Sequence, residues 1–151
     1  MLRFHPKHIL RLITLAYFVF DEYRKFLDIF YHKNHRDFSF CDCYGICYLF
    51  NKEVLGLEIP IYLNEKIYTD EDIDATYQSK KSDFKLVKSG KERIGDIVSL
   101  NIKGYAVHVG VVLQKGTMLH IMENKHAMIE GYKTSKWENK VESFWRYENT
   151  L

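Results

Sequence analysis

The sequence predicts an α+β domain, with N-terminal helices packed on a meandering antiparallel sheet. Three observations carry that expectation. Apolar residues at helical spacing run from Cys43 to Val54. Short apolar runs separated by Gly-containing turns follow Gly95. The length, 151 residues, suits one hydrophobic core. We therefore expect residues 1–151 to form a single domain, with residues 1–30 as an N-terminal helical segment.

Residues 7–30 read as the first helix. Pro6 precedes it, apolar residues run through to Phe30, and Asp21, Glu22, Arg24, Lys25 and Asp28 give its later half a polar face. Arg3, Lys7 and Arg11 before the apolar run 12–20 have the outline of a signal peptide. The run is short, no small-residue cleavage site follows, and Asp21-Glu22 comes at once, so no signal peptide is expected. It also falls short of the roughly 20 residues that span a bilayer. Residues 32–40 show no period and read as a loop. Asp42 then caps a second helix, its carboxylate accepting from the open first turn. Cys43, Cys47, Phe50 and Val54 lie on one face of that helix, and Gly56 suits its C-terminal cap.

The chain exits at Leu57-Glu58-Ile59-Pro60, and Asp70-Glu71-Asp72 opens a short helix. Gly95-Asp96 turns into a strand at Ile97–Leu100. Lys103-Gly104 turns into a second at Tyr105–Leu113, and Lys115-Gly116 into a third at Met118–Met122. Residues 127–132 and 144–147 supply later strands.

Composition excludes several classes. Hydrophobic residues make up 46% and charged residues 28%, the balance of a globular domain. A net charge of +2, with basic residues interleaved with acids as in Lys80-Lys81-Ser82-Asp83, implies no nucleic-acid partner. The three cysteines all lie between Cys41 and Cys47, a poor disulfide framework, so they read as free thiols.

Cys43 is the candidate nucleophile. A thiol reacts as thiolate, and the partial positive charge of a helix N-terminus is expected to lower its pKa. Gly45 leaves room for another element to approach. Cys47, deeper on the stripe, reads as core, and Cys41 stays open. The candidate base is His108, a lone histidine in the apolar run Val107–Val112, with Gly110 leaving room beside it. His120, twelve residues on, is the candidate group to orient His108. A three-residue loop would set His120 opposite Val112, on the face of His108. A four-residue loop would set it opposite Val111, on the other face unless a bulge intervenes. Glu123 and Asn124 are alternatives for that role. Zinc held by Cys41, Cys43, Cys47, His32 and His35 is the rival chemistry, but the spacing is not that of paired C-x2-C ligands. Neither metal nor organic cofactor is expected.

These residues resemble the NlpC-type family of papain-like cell-wall peptidases. Asp42-Cys43-Tyr44-Gly45 is similar to its D-C-x-G nucleophile motif, Gly95-Asp96-Ile97-Val98 to its G-D turn and strand, and His108-Val109-Gly110 to its H-V-G base motif. His120 matches the third polar residue, and Tyr31, twelve residues before Cys43, matches a tyrosine placed near the oxyanion site. The family's glycine pair after that tyrosine is replaced by Asn34-His35. The resemblance implies a papain-like fold, a thiol acyl-enzyme mechanism, and the peptidoglycan stem peptide as substrate, typically its D-glutamyl to diamino-acid bond. Residues 31–38, 42–45, 55–60 and the ending Trp137 and Phe144–Tyr147 are similar to tailed-phage members. That implies phage tail proteins as partners, a place in the virion, and local wall opening during DNA entry. The alternative is a structural tail-hub subunit with little or no catalysis.

Overall fold

The computed structural model describes residues 21–63 and 69–148. Most of the expected helix over 7–30 falls at positions 1–20, outside the described residues. Its described end is shorter than expected. Helix α1 spans Arg24–Leu27, and Phe30–Tyr31 is already a strand, β1. The reason is pairing. β1 lies parallel to β2, Phe40–Cys41, and the Tyr31 N–H donates to Lys125 O at 3.0 Å. Residues 32–40, expected as a plain loop, thus end in a strand that returns the chain beside Tyr31.

Helix α2 spans Cys43–Leu55. Asp42 caps it as expected, accepting from the Gly45 N–H at 2.7 Å, and Gly56 closes it in the left-handed conformation at φ 62°. Asp70 opens helix α3, Asp70–Lys80, which is longer than its acidic start suggested. Thr69 and Asp72 form a reciprocal capping box there.

The sheet has six antiparallel strands: β3 Lys85–Val87, β4 Ile97–Ile102, β5 Tyr105–Gln114, β6 Thr117–His120, β7 Met128–Gly131 and β8 Val141–Arg146. Their spatial order is β3-β8-β4-β5-β6-β7. The expected meander runs from β4 to β7, and β8 returns to lie beside β4. Asp96 clamps that return, accepting two bonds from the Arg146 guanidinium at 2.7 Å each.

Alternation along the strands gives the sheet two covered faces. Ile97, Val111, Leu113 and Leu119 face α2 and pack with Ile46, Cys47 and Phe50. Val98, Leu100, Val112 and Met118 face the other way, under Tyr132, Trp137 and Phe144. Asn51 Nδ2 ties α2 to the sheet by donating to Gly95 O at 3.1 Å. Among the described residues, no helix is long and apolar enough to cross a membrane.

Candidate active site

Cys43 opens α2, and its surroundings depend on Asp42. One Asp42 oxygen accepts from the Gly45 N–H at 2.7 Å and from Arg36 Nη1 at 2.6 Å; the other accepts from the Asn34 N–H at 2.8 Å. The loop after Tyr31 is therefore wound onto the helix cap. Asn34 sits at φ 62°, a conformation that asparagine adopts more readily than most side chains. Asn34 thus suits this left-handed turn without a glycine. Gly45 permits the close approach: a Cβ there would lie 2.4 Å from His35 O.

Tyr31, Cys43 and Val109 line one cleft of about 170 Å³, walled by the start of α2, by α3 and by the sheet. The Tyr31 phenol is pushed well above its ordinary value by burial and by the neighbouring Cys43 and Asp42, so it stays a hydrogen-bond donor.

The Cys43 thiol departs from expectation. Burial, reinforced by the Asp42 carboxylate, pushes it up to about 12, while the Val109 backbone N–H beside it works against that rise. The helix N-terminus does not deliver a resting thiolate, because desolvation opposes it and the cap that stabilises the helix is itself an anion. Cys47 lies in the core as expected, donating to Cys43 O at 3.4 Å. Cys41 is also core, fully buried and donating to Asp37 O at 3.2 Å.

The β5–β6 register settles the question of parity. Val111 pairs with Leu119 and Val112 with Met118, and a bulge before Gln114 absorbs the turn. His120 therefore falls opposite Gly110, on the same face as His108, rather than opposite Val112 or Val111. A Cβ on Gly110 would lie 3.2 Å from His120 Cβ and 3.1 Å from Met118 Sδ, so glycine is needed for the two histidines to meet. They do meet: His108 Nε2 and His120 Nδ1 are 2.8 Å apart.

A residue that sequence reasoning missed completes this chain. His120 Nε2 lies 2.5 Å from Glu130 Oε2, and neither Glu123 nor Asn124 takes that place. Glu130 also accepts from Lys136 Nζ at 2.8 Å and Trp137 Nε1 at 3.2 Å. Burial works to raise the Glu130 carboxyl, but the Lys136 and His120 bonds win and hold it below the usual range. An ionised carboxylate can only accept, which orders both rings. His120 donates from Nε2 and accepts at Nδ1. His108 must then donate from Nε2, which leaves its Nδ1 as a bare base. Trp137 stacks on His108 with ring centres 6.0 Å apart. Burial, followed by the charge of His120, pushes His108 down to about 3, so the imidazole is neutral. The one sequence signal for Glu130 was its place on the strand after His120.

The structure brings Tyr31 to Cys43, and His108 to His120. Between the two pairs, contact runs through the backbone. Val112 exchanges bonds with Gly95 and Asp96 on the β4 side, so the odd-numbered Val109 turns its N–H toward β6. The β6 strand ends at His120. The thiol thus sits where β5 and β6 part, one residue from His108. No hydrogen bond among the described residues joins it to the His108 ring. The cysteines and histidines of the zinc alternative are scattered: Cys41 and Cys47 turn into the core, while the His32 and His35 rings meet edge to face with centres 4.2 Å apart.

The sequence pattern of the NlpC/P60 family matches residues 31–146. The chain belongs to that family. No curated protein matches it. Among solved structures, it is similar to an NlpC/P60 family protein from Bacillus cereus, at 18% identity and a TM-score of 0.62 over 85% of this chain and 39% of that one. A lipoprotein-like member of the family from Staphylococcus aureus gives 15% identity and a TM-score of 0.60 over 87% of this chain and 41% of that one. The NlpC/P60 domain of the peptidoglycan hydrolase SagA gives 17% identity and a TM-score of 0.54 over 84% of this chain and 94% of that domain. The chain thus spans about two fifths of the Bacillus and Staphylococcus proteins. At these identities the likeness is one of fold, and it agrees with the helices and antiparallel sheet expected from the sequence.

Proposed function

We propose that the protein is a cysteine peptidase that cleaves an amide of the peptidoglycan stem peptide through a thioester on Cys43. The observation that carries this reading is a thiol at a helix start, facing a cleft, one residue from the head of the His108–His120–Glu130 chain. The family, generally cysteine peptidases and peptidoglycan hydrolases, supports it.

Thiol and imidazole both start neutral. Bound substrate draws them together, as catalytic hydrogen bonds are often long before substrate arrives. His108 Nδ1 takes the Cys43 proton as sulfur attacks the carbonyl carbon. The oxyanion receives the Cys43 backbone N–H, unpaired within the helix at this first turn, and the Tyr31 hydroxyl. The C–N bond breaks as imidazolium returns the proton to the leaving amine. Water, deprotonated by His108, then releases the acyl group as carboxylic acid.

Digestion of purified peptidoglycan by wild type and Cys43→Ala, with fragments read by mass spectrometry, tests this. New stem-peptide fragments from wild type alone are expected. Their absence across several peptidoglycan chemistries, with folded protein, sinks it.

The setting we propose is a phage tail or tail tip acting at the cell wall. Its support is the likeness of residues 31–38, 42–45 and 55–60 to tail-associated members. Mass spectrometry of purified particles should then find the chain. A second reading, a structural tail subunit with little turnover, draws support from a thiol that desolvation keeps neutral. In that case particles carrying Cys43→Ala would infect normally.

A further inference from the structure

Helix α3 has no buried residue. A helix of eleven residues is not stable alone in water, so something outside the hydrophobic core must account for it. Its anchor is polar: the Tyr77 hydroxyl bonds Ser99 Oγ at 3.0 Å, Ser143 Oγ at 3.2 Å and Trp145 Nε1 at 2.7 Å. That anchor sets one face over the cleft. Ile73, Thr76, Tyr77 and Lys80 all line it, at the i, i+3, i+4, i+7 spacing of a single helix stripe.

Charge is distributed unevenly along this helix. Asp70, Glu71 and Asp72 fill its first turn, away from the cleft, whereas Lys80 and the following Lys81 stand at the cleft. The charged residues lining the cleft are Lys33, Arg36, Lys80 and Lys81 against a single anion, Asp42. Arg36 and two backbone N–H groups already occupy Asp42. Neither Lys80 nor Lys81 lies within ion-pair distance of a carboxylate among the described residues; Lys80 Nζ rests 5.2 Å over the Tyr62 ring. The whole chain carries only +2, so this excess of cations is local. Apolar walls around a cleft of one sign of charge concentrate its field on whatever enters.

We infer that α3 is a substrate-selecting wall, and that Lys80 and Lys81 receive a free carboxylate of the bound peptide close to the amide facing Cys43. The ligand class is an acidic peptide. The inference takes the stem peptide from the proposed function, but the subsite rests on the cleft alone. Ammonium groups on flexible stems accept a carboxylate in many orientations, which suits a peptide that must shift during acyl transfer.

The test uses full-length Cys43→Ala protein, so that nothing turns over. It is titrated with an L-alanyl-γ-D-glutamyl-diamino-acid tripeptide whose D-glutamate α-carboxylate is free, and with the same tripeptide as α-carboxamide, by calorimetry at low salt. Because both lysines are partly or fully exposed, the free acid should bind about three- to tenfold tighter. Adding Lys80→Ala and Lys81→Ala should erase that preference and leave carboxamide binding unchanged; Lys80→Arg with Lys81→Arg should keep it. Equal binding of the two peptides, a preference surviving the double alanine variant, or no binding of either at millimolar concentration overturns the subsite. These readings are independent of the digestion experiment. If wild type cleaves no wall peptide yet the acid preference holds, the proposed function falls and the subsite stands.

Discussion

Replacing Glu130 by Gln removes one charge from the His108–His120–Glu130 chain while keeping its shape. An amide offers one acceptor and one donor, and either placement conflicts with the structure. If the NH2 faces His120, that ring must accept at Nε2. His120 then donates from Nδ1, His108 accepts at Nε2, and the proton lands on the very nitrogen that should receive the Cys43 proton. If the NH2 faces Lys136 instead, two donors oppose each other where a 2.8 Å ion pair stood. A hydrogen bond to a charged group contributes roughly 1.5–3 kcal/mol, and about 1.4 kcal/mol is tenfold in rate. Glu130 is 25% exposed at its side chain, which favours the lower end, so we expect kcat/KM for stem-peptide hydrolysis to fall about 10- to 30-fold. The pH profile should move as well. Glu130 raises the affinity of His108 and His120 for protons, so its loss shifts the acid limb to lower pH. The nitrogen-15 NMR signals of the rings give a readout that needs no activity. Wild type should show both imidazoles protonated at Nε2, and Glu130→Gln a mixture. A variant within twofold of wild type, with an unmoved acid limb and unchanged tautomers, would refute the reasoning.

Other perturbations reach different parts of the site. With its thiol pushed up to about 12, Cys43 should react slowly with iodoacetamide at pH 6 and faster as pH rises, whereas a resting ion pair would give a fast plateau at pH 6. Gly110→Ala crowds His120 Cβ and Met118 Sδ and should cost about 1–3 kcal/mol in urea unfolding, with activity lost beyond the change in stability. Asp42→Ala removes the helix cap and leaves Arg36, 7% exposed at its side chain, without its carboxylate; a loss of about 3 kcal/mol is expected by the same measurement. Acidification should destabilise the fold through His108. Its folded pKa, about 3, lies below the unfolded value, so the unfolded chain binds more protons between the two. Stability is then lost as pH falls through 6 toward 4, by up to about 1.4 kcal/mol per pH unit, and His108→Phe should flatten that slope.

What could be read from the sequence was whatever is encoded locally. Asp42, Cys43, Cys47, Phe50, Val54 and Gly56 specify a capped helix within a few turns of chain. Lys103-Gly104 and Lys115-Gly116 mark hairpins that join neighbouring strands. What escaped was set by partners distant in sequence. β1 and β2 are two residues each and pair in parallel, which leaves no periodic trace in residues 30–41. β3 is a three-residue edge strand whose partner, β8, lies near the C-terminus. Residue identities leave His120 on either face, depending on the loop length, and the bulge before Gln114 is what sets it opposite Gly110, on the face of His108. Glu130 belongs to a strand identified as such, yet its role depends on Lys136 and Trp137, which arrive from the following loop. The thiol was misjudged because a helix end was weighed without the burial around it.

The polar attachment of α3 bears on how this domain can change. Substitutions in a packed core disturb stability, since every atom there has close neighbours. Ile73, Thr76 and Lys80 border the cleft from a helix with no fully buried residue, so they can vary with little effect on the fold so long as Tyr77 keeps its hydroxyl contacts. Recognition and folding are thereby written in separate parts of the chain. A library confined to those three positions should yield folded variants at high frequency and differ chiefly in the peptides they accept.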